Sequence, residues 1–381
     1  MTRLTRRSFL NTSAACAVLG SGVPVSAADK SPDDAVNFLS DGLMLSPAEY
    51  ARLLSQLAQD GRAAADTYMS GGCVAELEAR FAQLLGKERA VFVPTGTLAN
   101  HLALRCLAGE KTRVFVPAES HVYNDSSDCV PVLSRLNLVP LGAGRATFTA
   151  GEVEEAYKRA VSGPFPLRVG AIAVECPVRR KTGEVFDYEE MKRVAAFARK
   201  HGIKTHLDGA RLFLASAYTS VTPAEYAALF DTVYISLYKY FNAGTGAILA
   251  GPAAVVGQVA QARKLFGGGL YHAWPYAAVA LHYLDGFTER YQKAMATARA
   301  LFARLEKDSR FRVEPVPNGT NIFKLYVRGG DRKKYQAALK ARGVQVRVPA
   351  DDRPLLLFVN ESVGRRPADE LARAFIEALR G

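Results

Sequence analysis

Short apolar runs alternate with helical stretches through the middle of this chain, and that alternation limits its fold more than any single motif does. Residues 90–93 form one such run, closed by Pro94-Thr95-Gly96 and followed by a helical pattern from Leu98. Residues 114–116, 138–140 and 169–174 are further runs. A helix follows, with Asp187 as its cap, Glu190 three residues on, an apolar stripe of Met191, Val194, Ala195 and Ala198, and Gly202 as its stop. Residues 203–207 read as a strand ending on Asp208, residues 232–237 as a strand just before Lys239, and residues 246–250 as another. This order predicts a mostly parallel α/β sheet. From about residue 284 the pattern changes to a long helix, a strand over 321–327, a helix over 333–341, two strands and a terminal helix, which predicts a smaller α+β domain.

Composition narrows the function classes. Of 381 residues, 49% are hydrophobic and 23% charged, which excludes a disordered, collagen-like or coiled-coil chain. The net charge is +12, but no Arg/Lys block carries interleaved aromatics, so nucleic acid is not an expected partner. Thr5-Arg6-Arg7-Ser8-Phe9-Leu10, the apolar run 14–25 and Val25-Ser26-Ala27 form an ordered twin-arginine signal over residues 1–27. A periplasmic or otherwise exported protein, free of the membrane after cleavage, is the expectation. Residues 28–60 then read as an N-terminal arm, 61–284 as a large domain and 285–381 as a small one. Cys73, Cys106, Cys129 and Cys176 form no C-x-x-C pair and are expected as free thiols, and the six scattered histidines suggest no metal.

Chemistry gathers where the predicted strands end, as it does in open α/β sheets. Thr95-Gly96-Thr97 joins a strand to a helix start, which suits a phosphate. His121 follows a strand and a short loop; Asp208 ends a strand before Gly209-Ala210-Arg211; Lys239 follows a strand and precedes Tyr240-Phe241-Asn242-Ala243-Gly244. A phosphate cradle, an aromatic face, an anion and an amine are the parts needed to hold pyridoxal phosphate (PLP).

The run His206-Leu207-Asp208-Gly209-Ala210-Arg211-Leu212-Phe213 resembles the pyridine-nitrogen segment of threonine aldolases and related β-eliminating lyases. The resemblance extends from about residue 38 to 378. It takes in Ser40-Asp41, Asp66-Thr67-Tyr68, Glu76-Leu77-Glu78, the segment from Pro94 to Asn100, Ser236-Leu237-Tyr238-Lys239 and Gly319-Thr320-Asn321. It implies the aspartate-aminotransferase fold (type I): a large PLP-binding domain on a mostly parallel, seven-stranded-type sheet flanked by helices, plus a small C-terminal α+β domain. It also implies roles. Lys239 would carry PLP covalently, Asp208 would pair with the ring nitrogen, and His121 would stack on the ring and could relay a proton. Gly96, Thr97 and Ser236 would hold the phosphate, while Ser40 and Arg211 would hold the substrate carboxylate.

Departures from the family pattern concern the substrate side. The arginine and histidine of the usual C-terminal pair are Leu356 and Asn360 here, leaving Arg342, Arg347 or Arg353 as candidate replacements. Tyr271 and His272 stand where the family has Arg-Gln, and Val178 where it has a histidine. The acidic residue expected five positions after His121 is Ser126, with Asp125 beside it, and Leu214 replaces an asparagine. A divergent PLP lyase is therefore expected, cleaving a β-hydroxy amino acid to glycine and an aldehyde. The alternatives are β-elimination, racemisation or transamination, or a non-catalytic PLP or metabolite binder. The expected assembly is a homodimer or homotetramer, and the expected ligand is a small amino acid.

Overall fold

The computed structural model describes residues 35–380; the expected twin-arginine segment lies outside them. The described strands are, in chain order, β1 (Val36–Asn37), β2 (Arg89–Val93), β3 (Arg113–Pro117), β4 (Asn137–Leu141), β5 (Val169–Glu175), β6 (Lys204–Asp208), β7 (Thr232–Ser236), β8 (Ala247–Gly251), β9 (Phe311–Pro315), β10 (Ile322–Val327), β11 (Val344–Gln345) and β12 (Leu355–Phe358). β2 to β8 form one seven-stranded sheet in the order β2-β8-β7-β6-β5-β3-β4. The pairs β3/β4, β3/β5, β5/β6 and β6/β7 are parallel, while β8 runs antiparallel to both β7 and β2. Six strands therefore point the same way, and the carboxyl ends of β2, β3, β5, β6 and β7 share one edge of the sheet. This is the mostly parallel sheet expected from the alternation.

Local sequence explains the elements. β5 is apolar along its length except at Glu175, and all seven of its residues are buried, as suits a central parallel strand covered on both faces. The helix Tyr188–Lys200 starts on the expected cap, with the Glu190 N–H donating to Asp187 Oδ1 at 2.8 Å. The Glu190 side chain does not reach back to close a capping box; its Oε2 accepts from the Ala150 N–H at 2.8 Å, tying the start of the neighbouring helix instead. Gly202 follows at φ +62, a left-handed turn that glycine enters without a steric cost.

The C-terminal part forms a three-stranded antiparallel sheet, β12-β10-β9, backed by the helices Phe287–Leu305, Arg332–Ala341 and Ala368–Ala378. β9 is the one strand of this sheet that the sequence pattern did not suggest: Phe311 is buried, but Arg312 and Pro315 face solvent on an edge. The hydrophobic core here gathers Leu301, Leu325, Leu339, Leu357 and Phe375. Val36 and Phe38 belong to it too, both fully buried, with Phe38 edge-on to Phe375 at 6.0 Å. Such side chains contribute about 1.5–3 kcal/mol each on burial. They anchor the segment that pairs as β1 with β11, and the next residues, Ser40 and Asp41, reach the edge of the large sheet where the strands end.

Candidate active site

A cavity of about 650 Å³ lies at the carboxyl edge of the large sheet, a size usual for small-molecule sites. Its lining includes Ser40, Gly96, Thr97, His121, Asp208, Arg211 and Lys239, so seven of the eight expected site residues share it. Ser236, the eighth, is fully buried behind it and accepts a hydrogen bond from the Lys239 amine at 3.0 Å. The reason is geometric. Ser236 is the last residue of β7, and its side chain turns back toward the lysine three residues on.

Lys239 sits in a loop that doubles back on itself. The Asn242 N–H donates to the Lys239 carbonyl at 3.1 Å, with Asn242 at φ +54, and Asn242 Oδ1 accepts from the Leu43 N–H at 2.7 Å. The N-terminal arm thus closes directly on the lysine loop. Gly42 permits this approach, because a Cβ there would lie 2.3 Å from the Lys239 carbonyl oxygen. The amine also donates to the Tyr238 hydroxyl at 3.1 Å. Burial, with Arg211 nearby, pulls the Lys239 pKa below the ordinary lysine range. That increases the share of neutral, nucleophilic amine.

Asp208 ends β6 with both oxygens engaged. Oδ1 accepts from the Ala210 N–H at 3.1 Å and Oδ2 from Asn100 Nδ2 at 2.6 Å. Asn100 Oδ1 lies 2.9 Å from His206 Nε2, and His206 Nδ1 lies 2.9 Å from Thr232 Oγ1. Burial pushes the His206 pKa down to about 4, so its ring is neutral near pH 7. Since the Asn100 amide already donates to Asp208, Nε2 carries the proton toward Asn100 and Nδ1 accepts from the threonine hydroxyl. This buried chain orients Asp208, and sequence reasoning gave no role to Asn100 or His206. The signal was available in part, since both residues stand inside the motifs that carry the resemblance.

Glu175, paired with Asp208 across β5 and β6, was also missed. Its Oε2 accepts from the His121 N–H at 2.6 Å and its Oε1 from the Arg179 N–H at 2.8 Å. Burial and the neighbouring Asp208 charge raise its pKa. One carboxylate thereby fixes the main chain of two cavity-lining residues. His121 Nε2 lies 3.5 Å from Thr97 Oγ1, and Nδ1 lies 3.9 Å from Asp125 Oδ2. Burial lowers the His121 pKa even though Asp208 and Asp125 oppose the shift. Asp125 thus stands beside the imidazole, four residues on, whereas Ser126 is buried and donates to the Val122 carbonyl at 2.7 Å.

Gly96 and Thr97 open the 13-residue helix Gly96–Ala108, capped by Thr95, whose Oγ1 accepts from the Leu98 N–H at 3.2 Å. The N–H groups of Gly96 and Thr97 have no protein acceptor among the described residues and combine with the helix dipole to suit an anion. A Cβ at Gly96 would lie 2.0 Å from the Tyr234 hydroxyl, so only glycine lets this helix start seat against Tyr234. An unpartnered anion cradle, a buried amine of lowered pKa and a doubly held aspartate are the donor set that PLP needs, and the residues fit it.

On the substrate side, Ser40 Oγ donates to the Gly42 carbonyl at 3.0 Å. Arg211 Nε donates to Asp41 Oδ2 at 2.8 Å, and Asp41 Oδ1 accepts from Asn321 Nδ2 at 3.1 Å. Burial opposes the Arg211 charge, but Asp41 overrides it and raises the pKa. With Nε held, the terminal nitrogens stay available for a charge-assisted fork to a carboxylate. None of Arg342, Arg347 and Arg353 lines the cavity: Arg342 faces Glu377 at 3.8 Å and Arg353 binds Asp351 at 2.9 Å, each on an exposed surface. Asn360 is fully buried, and its amide donates to the carbonyls of Asn37 and Ser40 at 2.9 and 2.8 Å, latching the arm. Leu356 is partly exposed. The added cation on the cavity wall is Arg179. Tyr271 is exposed and packs edge-on against Tyr68 at 5.1 Å, while His272 Nδ1 lies 2.5 Å from the Asp66 carbonyl.

Comparison with known proteins follows the same line. Residues 51–327 match the beta-eliminating lyase family. The "Probable low-specificity L-threonine aldolase" of Schizosaccharomyces pombe is 30% identical over 248 residues, 65% of this chain and 64% of that protein. "Alanine racemase TOXG" of Cochliobolus carbonum is 29% identical over 206 residues, 54% of this chain and 52% of that protein. The chain therefore spans less than two thirds of the length of either relative. A solved Listeria monocytogenes structure, described as a "putative L-allo-threonine aldolase", superposes with a TM-score of 0.72 at 25% identity, over 91% of this chain and 96% of its own.

Proposed function

This chain belongs to the beta-eliminating lyase family, and from that premise we propose that it is a PLP-dependent lyase that cleaves a β-hydroxy amino acid to glycine and an aldehyde. The observation that carries the reading is the meeting, in one cavity, of the buried Lys239 amine, the doubly held Asp208 and the free N–H groups at Gly96 and Thr97. Lys239 would hold the cofactor at its aldehyde, Asp208 at its ring nitrogen, His121 at its face, and Gly96 and Thr97 at its phosphate. When bound, PLP supplies an aldehyde that condenses with amines and a protonated ring that withdraws electrons from the substrate's α-carbon.

The protein's own residues do the rest. Asn100 and the Ala210 N–H hold Asp208 as an acceptor aimed into the cavity. Ser40 and the terminal nitrogens of Arg211 bind the substrate carboxylate, and so choose which bond at the α-carbon is presented for cleavage. The lowered pKa of Lys239 makes its nitrogen readier to give up a proton, as a group that takes a proton and returns it must. His121, with Asp125 at 3.9 Å, is placed to take the proton of a substrate hydroxyl. Met44, Leu45 and Tyr50 from the arm side line the cavity and limit water.

The test is the absorbance spectrum of purified protein with PLP, then with L-threonine, L-allo-threonine, serine and tryptophan in turn. A visible band that vanishes in Lys239→Ala, and a shift with a β-hydroxy amino acid yielding glycine and aldehyde, is the expected result. A protein that stays colourless after PLP addition overturns it. One second reading has its own support: the carboxylate-binding residues depart from the family pattern, and a relative bears a racemase name. Elimination would instead release a 2-oxo acid and ammonia, and racemisation would only invert the α-carbon. Export by the twin-arginine route and assembly of two or four copies are further proposals, supported by residues 5–27 and by the exposed pair Tyr68 and Tyr271; cell fractionation and light scattering test them.

A further inference from the structure

Two arginines line the cavity, and they are anchored independently. Arg211 is held through Nε by Asp41, itself tied to Asn321 at the start of the small sheet. Arg179 is fixed at the end of β5, where its N–H binds one oxygen of Glu175 while the N–H of His121 binds the other. Arg179 and His121 are therefore neighbours on the same wall. The Arg179 side chain is half exposed, and its guanidinium donates no hydrogen bond among the described residues. Its nearest carboxylate, Asp125, stands at 3.9 Å, beyond hydrogen-bond range, and Asp125 Oδ1 is taken by Arg180 at 3.1 Å. Arg179, Arg180 and Lys181 share one short 3-10 turn: Arg180 reaches Asp125 at 3.1 Å and Glu119 at 3.9 Å, while the Lys181 amine turns away to donate to the Gly144 carbonyl at 2.7 Å. At the cavity wall Arg179 therefore has only a long contact, to a carboxylate that it shares with Arg180 and His121. The carboxylate Glu175 is occupied by main-chain N–H groups.

We infer that Arg179 binds a second acidic group on the substrate's side chain, so that the cavity selects an amino acid with two carboxylates or a comparable anion at the β-substituent. The reaction such a substrate undergoes rests on the lyase reading above, but the binding preference does not. A neutral substituent beside His121 would leave the Arg179 guanidinium to solvent and the distant Asp125, whereas a carboxylate there completes a charge-assisted fork. Arg211 and Ser40 meanwhile take the α-carboxylate.

Binding is measured first, by thermal unfolding of the purified protein with succinate, a dianion, and butyrate, a monoanion of equal carbon count. Succinate is expected to stabilise the protein at concentrations where butyrate does not, with Arg179→Gln weakening succinate about tenfold or more and leaving butyrate unchanged. Arg179→Lys should retain part of the preference. Turnover is then compared for β-hydroxyaspartate and threonine. Arg179→Gln is expected to raise KM for the acidic substrate with little change in kcat, and to raise it far less for threonine. Equal binding of succinate and butyrate by the unmodified protein overturns the inference. So does an equal loss for both substrates in Arg179→Gln, which would make Arg179 part of the α-carboxylate site. If no amino acid is turned over, the lyase reading fails, while the succinate–butyrate comparison still decides the role of Arg179.

Discussion

Asn100 shows how one side chain can govern a reactive group that it does not share a strand with. Its amide donates to Asp208 and its carbonyl faces neutral His206, so replacing it removes two partners from buried groups at once. Asn100→Ala is expected to lower stability by about 1–3 kcal/mol, measured by urea unfolding, and to reduce kcat more than it raises KM. Asn100→Asp should be worse for activity, because a second carboxylate would stand 2.6 Å from Asp208 and force one of the two to take a proton. Asp41 gives the contrasting case. It pairs with a buried arginine, and Asp41→Ala leaves that charge alone at a cost of about 3–5 kcal/mol. Its activity readout should be a raised KM for any amino acid, since Arg211 loses its fixed orientation. The candidate residues that meet in the cavity, Lys239, Asp208 and His121, were legible in the sequence because each stands at or just after a strand end inside a distinctive run. Asn100, Glu175 and Asp41 were not, because their roles depend on which strand or helix they meet.

The helix Gly96–Ala108 is the element on which the anion cradle depends. Its start is set by Thr95 as cap and by the close approach of Tyr234, which leaves no room for a Cβ at Gly96. Gly96→Ala is expected to push the first turn away from Tyr234 and to weaken PLP binding, read by fluorescence titration of the cofactor. Adding Tyr234→Phe should restore part of that affinity by removing the hydroxyl 2.0 Å from the new Cβ. Restoration would separate a steric cause from a loss of helix flexibility. Thr95→Ala, which removes a cap alone, should cost about 1 kcal/mol of stability. The helices and central strands were readable in advance because apolar runs and caps are local signals. β9 was not, since an edge strand with one buried face carries a pattern too weak to stand out.

Across the whole molecule, two buried histidines make stability depend on pH. Burial pulls both His101 and His206 down to about 4, and an unfolded chain would protonate them near the ordinary 6.5. Between those values the unfolded state binds more protons, so each histidine makes stability rise with pH from about 4 to 6.5 and adds no further dependence above that. The buried Glu175, raised by its surroundings, acts with the opposite sign, so the His101 share is read as a difference: from pH 7 to 5 the urea midpoint should fall further in the wild type than in His101→Gln, the wild-type ring packing edge-on to Phe266 and contacting Ser134 away from the cavity. A wild-type slope equal to that of the variant would contradict the assignment to His101.

Sequence alone determined the mostly parallel sheet and the small C-terminal unit, and it singled out Lys239, Asp208 and His121 as candidates that the structure brings to one cavity, because hydrophobic period, caps and strand-end residues act over a few positions of chain. Tertiary structure decided what surrounds that trio. Strand order set Glu175 beside Asp208, although 32 residues separate them, with β6 pairing directly onto β5. The burial of Val36 and Phe38 in the small core brought Ser40 and Asp41 to the large sheet. Arg179 became a cavity residue through the same carboxylate that holds His121. These are long-range pairings, settled by which apolar faces bury together, and no local run of residues encodes them.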